Sequence, residues 1–150
     1  MKNMKKENEV NFEFVDLGLS VKWANMNVGA KDVDDCGKYF AYNEVNEDEG
    51  RLPSKEEFAE LLERCTWEWI DKDGKIGYVV KSLSNDNSIF LPAAGLIATD
   101  EVRGLGGFGY YLSSTKDKNR AIGVYELVLR KGYKAIYFAG SYKRSARLVR

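Results

Sequence analysis

Apolar residues recur along this chain with two periods, and each period predicts a different element. Phe58, Leu61, Leu62 and Cys65 fall at i, i+3, i+4 and i+7, the single apolar stripe of an amphipathic helix. Pro53 precedes this stripe, Ser54 stands at the N-cap, and Glu57 three positions on completes a capping box. Glu56, Glu60 and Glu63 face away, with Glu60 spaced to pair with Arg64. A helix is therefore expected over about 54–66, with room for a second short one near 31–37.

Elsewhere the period is two, which predicts strands. Residues 12–17 and 21–24 alternate around a break at Gly18, and 38–42 follows an Asp-Asp-Cys-Gly turn. Residues 67–70 and 76–81 flank Asp71-Lys-Asp-Gly74, the signature of a hairpin. Residues 89–94 read as a buried strand, with Pro92 placing it at an edge or an end. Residues 110–114, 122–130, 133–139 and 146–149 complete the run, with Lys131-Gly132 as the tight turn between the two longest. One firm helix among many antiparallel strands gives an α+β fold. The chain of 150 residues is expected to form a single domain over 10–150, preceded by a flexible segment at 1–9.

Net charge is zero, yet it is unevenly distributed. Residues 1–115 hold 13 basic and 21 acidic side chains, a balance of −8, whereas 116–150 hold 10 basic and 2 acidic, a balance of +8. Either the two parts pack together and neutralise each other, or a basic surface faces an acidic partner.

The chain has no histidine, which removes the imidazole base and every Ser-His or Cys-His pair. Cys36 and Cys65 are too few and too far apart for a zinc site or a disulfide framework, and both are expected as buried free thiols. Gly104-Leu-Gly106-Gly107-Phe-Gly109 fits a dinucleotide-binding spacing but lacks the preceding strand and following helix, so it reads as a connecting loop. Asp71-Lys-Asp73-Gly74 has its glycine two positions too early for a calcium loop. Glu44, Glu47, Asp48 and Glu49 read as a solvated acidic loop. No cofactor and no metal site is expected.

Four separated motifs carry a family resemblance. They are Val-Asp-Leu-Gly-Leu-Ser-Val-Lys-Trp-Ala at 15–24 followed by Asn-Val-Gly-Ala at 27–30, Arg-Leu-Pro-Ser-Lys-Glu-Glu-Phe at 51–58, Ser-Ile-Phe-Leu-Pro-Ala-Ala-Gly at 88–95, and Gly-Tyr-Tyr-Leu-Ser-Ser-Thr at 109–115. Together with the ending Ser-Ala-Arg-Leu-Val-Arg at 145–150, this set resembles the Fibrobacter succinogenes major paralogous domain family. The resemblance implies a C-type-lectin-like fold whose first and last strands pair. In that arrangement Leu148 is expected to face inwards and Arg147 and Arg150 outwards. It also implies a display scaffold whose C-terminal part forms the ligand face. The sugar-binding calcium motifs of true C-type lectins are absent, so calcium-independent recognition is expected. Enzymes on this fold that generate formylglycine use cysteines late in the chain, and here both lie in the first half. The chain departs from its relatives in two places: Leu112 stands where tryptophan is usual, and the insertion before the helix is short. Some members resemble retroelement-diversified proteins, but the many lysines in this C-terminal region leave that footprint weak.

Six of the nine tyrosines lie within 110–142, interleaved with lysine and arginine. Tyrosine supplies rigid contact area and arginine planar hydrogen bonding, the composition of a binding surface. The candidate ligand-binding residues are Lys116, Lys118, Arg120, Tyr125, Lys134, Tyr137, Tyr142, Lys143 and Arg144. The expected partner is a protein or glycan, with an acidic one favoured by charge; the alternative is a subunit of a phage or cell-surface assembly. Nucleic acid is not expected, since no RNA- or DNA-binding signature accompanies the basic residues. The basic start leads into none of the about 7–15 apolar residues that an export signal needs. That predicts a cytoplasmic or phage-associated chain, or an extracellular one if an export segment has been removed.

Overall fold

The computed structural model describes residues 11–120 and 122–150. The segment expected to be flexible, 1–9, lies outside them. The strands are β1 (Phe14–Val15), β2 (Trp23–Ala24), β3 (Cys65–Lys72), β4 (Lys75–Ser82), β5 (Ser88–Pro92), β6 (Leu96–Ala98), β7 (Glu101–Arg103), β8 (Gly109–Leu112), β9 (Tyr125–Arg130) and β10 (Tyr133–Phe138). A single helix, α1 (Lys55–Glu63), stands among the described residues. Every named strand pairing is antiparallel, so the architecture is α+β with mostly antiparallel sheet.

The capping box of α1 is present in both directions. The Glu57 amide donates to Ser54 Oγ at 3.1 Å, and the Ser54 amide donates to Glu57 Oε1 at 2.8 Å. Arg51 closes on the same carboxylate with both guanidinium nitrogens, at 2.8 and 2.7 Å. Glu60 does not serve Arg64 as spacing suggested; it accepts from the Ser20 amide and, at 2.8 Å, from its hydroxyl. Cys65 is buried as expected, but it opens β3 rather than closing the helix. Cys36 is only half-buried; both thiols are free.

Two three-stranded sheets, β3-β4-β5 and β10-β9-β8, sandwich the main core. Asp73 and Gly74 turn β3 into β4 with φ of 56° and 78°, the Asp-Gly geometry that hairpin twist favours. Trp67 and Trp69 pack edge-on against Tyr78 with centroids 5.3 and 5.0 Å away. Tyr78 in turn donates its hydroxyl to the Arg130 carbonyl at 2.8 Å and accepts from the Gly132 amide, which ties one sheet to the other. Tyr111, Leu127 and Leu129 complete the core from the second sheet.

The last described segment bonds to β2, the second strand, where the resemblance implied the first. The amides of Lys22 and Ala24 donate to the carbonyls of Arg150 and Leu148, both at 2.9 Å, and on the other side Arg51 and Val149 exchange backbone bonds at 3.0 and 2.8 Å. The C-terminal segment is also covered on both faces, Val149 packing into the main core and Ala146 and Leu148 into a second apolar cluster, and this overturns the expected orientation of Arg147. Alternation places a residue in solvent only when one face of the strand is wet. Here residues 144–149 are all buried, and Arg147 is 0% exposed while Leu148 faces inwards as expected and Arg150 is exposed. Arg147 donates Nε to Asn27 Oδ1 at 2.8 Å, Nη1 to the Ala24 carbonyl at 3.0 Å and Nη2 to the Phe90 carbonyl at 2.5 Å. Burial without a carboxylate partner holds its pKa down at about 10.

Other expected elements shrink. The region 31–37 forms bends and turns rather than a helix, and 38–42 contributes only a bridge between Phe40 and Arg144. The strand expected to begin at 122 begins at Tyr125, and 146–149 pairs through isolated bridges. The β6–β7 hairpin was not expected, because Thr99–Arg103 is polar; it turns on Thr99 and Asp100, whose φ values are 52° and 61°, and it puts a strand before the 104–109 glycines, though β8 and not a helix follows them.

Candidate functional site

Cross-strand partners share a face of a sheet, so the register of β8-β9-β10 assigns its two surfaces. Tyr111, Leu127 and Ile136 fall in one row, the inner one. The outer face carries Tyr133 beside Arg130, then Ala135, Val128 and Tyr110, then Tyr137, Glu126 and Leu112. Phe108 stacks on Tyr110 at 5.8 Å and extends this aromatic surface, and the hydroxyls of Tyr133 and Tyr137 contact each other.

Glu126 is the buried charge on this face, a carboxylate that adjoins the apolar run Leu127–Leu129. Arg144 lies over it and donates Nε to Oε1 at 2.5 Å, with both side chains buried and Arg144 4% exposed. The same guanidinium donates Nη1 to the carbonyls of Gly140 at 3.2 Å and Tyr142 at 2.5 Å. One charge thereby fixes the sheet and the loop that crosses it. Burial pushes the Glu126 carboxyl above its usual range, more than Arg144 pulls it down. Burial, and then the Glu126 charge, also raise the Tyr110 hydroxyl.

Held this way, the loop presents Ser141, Tyr142 and Lys143 to solvent. Tyr142 is 51% exposed and lines three adjoining depressions. The most enclosed is an apolar cleft of about 290 Å³ between Tyr42, Leu112, Ile122, Phe138 and Tyr142. The second, about 540 Å³, runs along Phe108, Tyr110, Thr99 and Arg103, and the third, about 350 Å³, along Ile97, Asp100 and Lys143. The β6–β7 hairpin is fastened here by paired backbone bonds between Ile97 and Lys143 at 2.9 and 3.2 Å.

The nine residues singled out from sequence do not form one cluster. Tyr137, 48% exposed, Tyr142 and Lys143 share the outer surface. Arg144 supports that surface from beneath; its burial removes it from direct contact with a macromolecule. Lys134 lies on the inner side of β10, its Nζ 5.6 Å and 5.2 Å from the Trp67 and Tyr78 rings. Tyr125 is also inward, under Lys55 Nζ at 4.3 Å, and donates its hydroxyl to Asp117 at 3.0 Å. Lys116, Lys118 and Arg120 are exposed on the loop before β9, and Arg120 lies 4.3 Å over the Phe138 ring at the edge of the cleft. The Asn119 amide and then the Tyr125 hydroxyl hold the Asp117 carboxyl below its usual range. Among the described residues the opposed charges of the two chain parts meet in one surface pair, Lys143 with Glu44 at 3.7 Å, while Arg144 and Arg120 pair within their own segment.

Sequence reasoning missed Tyr42, Ile122 and Phe138 as cleft walls and Glu126 as the anchor of the loop. Glu126 left a readable signal, since a lone acid in Val-Tyr-Glu-Leu-Val-Leu needs a buried cation. Among the described residues, no group of three or more cysteines, aspartates and glutamates stands close enough to hold a metal ion, and no helix is long and apolar enough to cross a membrane. No protein-family model, curated protein or solved structure matches this chain.

Proposed function

We propose that this chain is a non-enzymatic recognition domain of the C-type-lectin-like kind, related to the Fibrobacter succinogenes major paralogous domains, that binds a protein or glycan through its C-terminal face. The observation that carries this reading is the loop stapled by Arg144, which holds Tyr142 at the junction of three depressions on a rigid sheet. Exposed tyrosines on a fixed backbone give contact area with little ordering cost. Support for the family comes from its motifs taking structural roles: Ser54 caps the helix, Trp23 is buried, and the ending pairs with β2. A non-catalytic role accords with the lack of histidine and with Glu126 being locked to Arg144.

The test is a screen of the purified chain against glycan and cell-surface-protein arrays, with Tyr142→Ala and Tyr137→Ala alongside. A ligand lost with either variant supports recognition at this face. A second reading, a subunit of a larger phage or cell-surface assembly, is favoured by exposed Leu105, Val102 and Ile122. It predicts a stable oligomer by light scattering, and array binding by a monomer sinks it.

A further inference from the structure

Resting on the recognition reading, we infer that the cleft beside Tyr142 takes one bulky apolar side chain of an acidic peptide segment, the cations around it gripping the flanking carboxylates. Its volume, about 290 Å³, lies at the lower edge of the roughly 300–1,000 Å³ typical of small-molecule sites, so it suits a side-chain anchor better than a cofactor. Ile122, Phe138, Leu112 and Ala139 make its walls mostly apolar, and Ser141 with the hydroxyls of Tyr42 and Tyr142 are its few polar side-chain groups. Burying sugar hydroxyls here would leave most of them without partners, at a cost that an apolar side chain avoids. Ile122 is 68% exposed at the cleft, apolar area that a docked anchor would cover.

Charge selects among peptides. Arg120 stacks on Phe138, one wall of the cleft, exposed Lys116 and Lys118 precede it on the same loop, and exposed Lys143 directly follows Tyr142, another wall. Three carboxylates answer them: Asp117, 3.9 Å from Arg120, Glu44, 3.7 Å from Lys143, and Asp100, which lines the adjoining depression with Lys143. The four cations outnumber these three acids by one, and all four are solvent-exposed, the position from which charges steer an encounter and choose its partner.

A random phage-displayed peptide library panned on the whole chain tests this directly. The expected consensus has one Leu, Ile, Phe or Trp among several Asp or Glu. Binding of the synthesised consensus peptide should fall roughly tenfold or more when its anchor becomes alanine. A similar loss is expected with Ile122→Asp, and with Lys118→Glu combined with Arg120→Glu, whose affinity should also lose its salt dependence. All three substituted side chains are exposed, so the variants should fold, and circular dichroism checks that they do. A basic or uncharged consensus, a consensus indifferent to these variants, or no enrichment on folded protein overturns the inference. A glycan whose binding is abolished by Tyr142→Ala would overturn it too while leaving the recognition reading intact; silence from peptides, glycans and proteins together would sink both.

Discussion

Arg144 and Arg147 stand three positions apart on one segment, and both are buried, yet they are stabilised by different means. Arg147 sits in the closed seam where the ends of the fold meet, and its partners are the Asn27 amide oxygen and two backbone carbonyls. Arg144 sits beneath an open face and is matched by a carboxylate. Neutral acceptors are fixed dipoles with no alternative state. A carboxylate can take a proton if its cation is removed. The seam is therefore the rigid end of the molecule, and the open face has a support that tolerates change.

Removing each guanidinium should separate the two regions. Arg147→Ala leaves three acceptors without their donor and a cavity lined by core atoms. A loss of about 3–5 kcal/mol is expected, the sum of buried acceptors left unsatisfied and of the cavity that a long side chain leaves. Arg144→Ala should cost less, about 2–3 kcal/mol, because Glu126 can become neutral in response. Replacing both members of that pair, Glu126→Leu with Arg144→Met, should recover most of the loss, since well-packed apolar groups often match a buried ion pair. The double variant should still bind ligand poorly, because nothing then fixes the carbonyls of Gly140 and Tyr142. Urea unfolding measures the stabilities. Equal losses for the two single variants would erase the distinction.

The same contrast predicts opposite pH behaviour for two glutamates. The Glu57 carboxyl is held down chiefly by its hydrogen bonds from Arg51. A depressed folded pKa contributes stability that is present above the unfolded value and lost as pH falls through the folded one. The Glu126 carboxyl is raised by burial, so the folded state holds its proton more tightly than the unfolded chain. Its contribution is favourable below the unfolded value and is lost as pH rises through the folded one. Glu57→Gln should therefore flatten the acid limb of a stability profile run over about pH 3 to 7, and cost about 1 kcal/mol or less at neutrality for a half-exposed pair. Glu126→Gln should remove the decline on the other side. Two profiles shifted the same way would contradict these assignments.

What could be read from sequence follows the same division. The helix, its cap, the Asp-Gly hairpin and Pro92 at the end of β5 rest on local spacing, and local spacing is all they need. Arg147 rests on a tertiary fact, that apolar clusters cover both faces of the last segment, which no periodicity within that segment reveals. The candidate face was legible as composition, since Tyr137, Tyr142 and Lys143 do share it. The error lay in treating tyrosines and cations of one stretch as one surface. A strand alternates faces, so Lys134 and Tyr137 point to opposite sides of β10, and Tyr125 turns inward with Phe138. The cleft was illegible because its walls come from residues about forty, one hundred and twelve, and one hundred and forty along the chain.

The smallest expected effect probes the face itself. Thr99 and Asp100 form the β6–β7 turn with both φ values positive, and a β-branched residue in that region is strained. Asn-Gly is the pair such turns prefer. Thr99→Asn with Asp100→Gly should stabilise the protein by about 0.5–1 kcal/mol, because the strain is relieved while the hairpin keeps its pairing to Lys143. Strained residues persist where the surroundings over-determine them, often at binding sites. Thr99 and Asp100 line the depressions beside Tyr142, and the substitution removes the threonine hydroxyl and the aspartate carboxylate from them. If that turn serves the ligand, the variant should melt later and bind more weakly. A variant that is more stable and binds unchanged would confine the site to the apolar cleft and its cations; one that is less stable would mean the threonine is held by contacts that outweigh its strain.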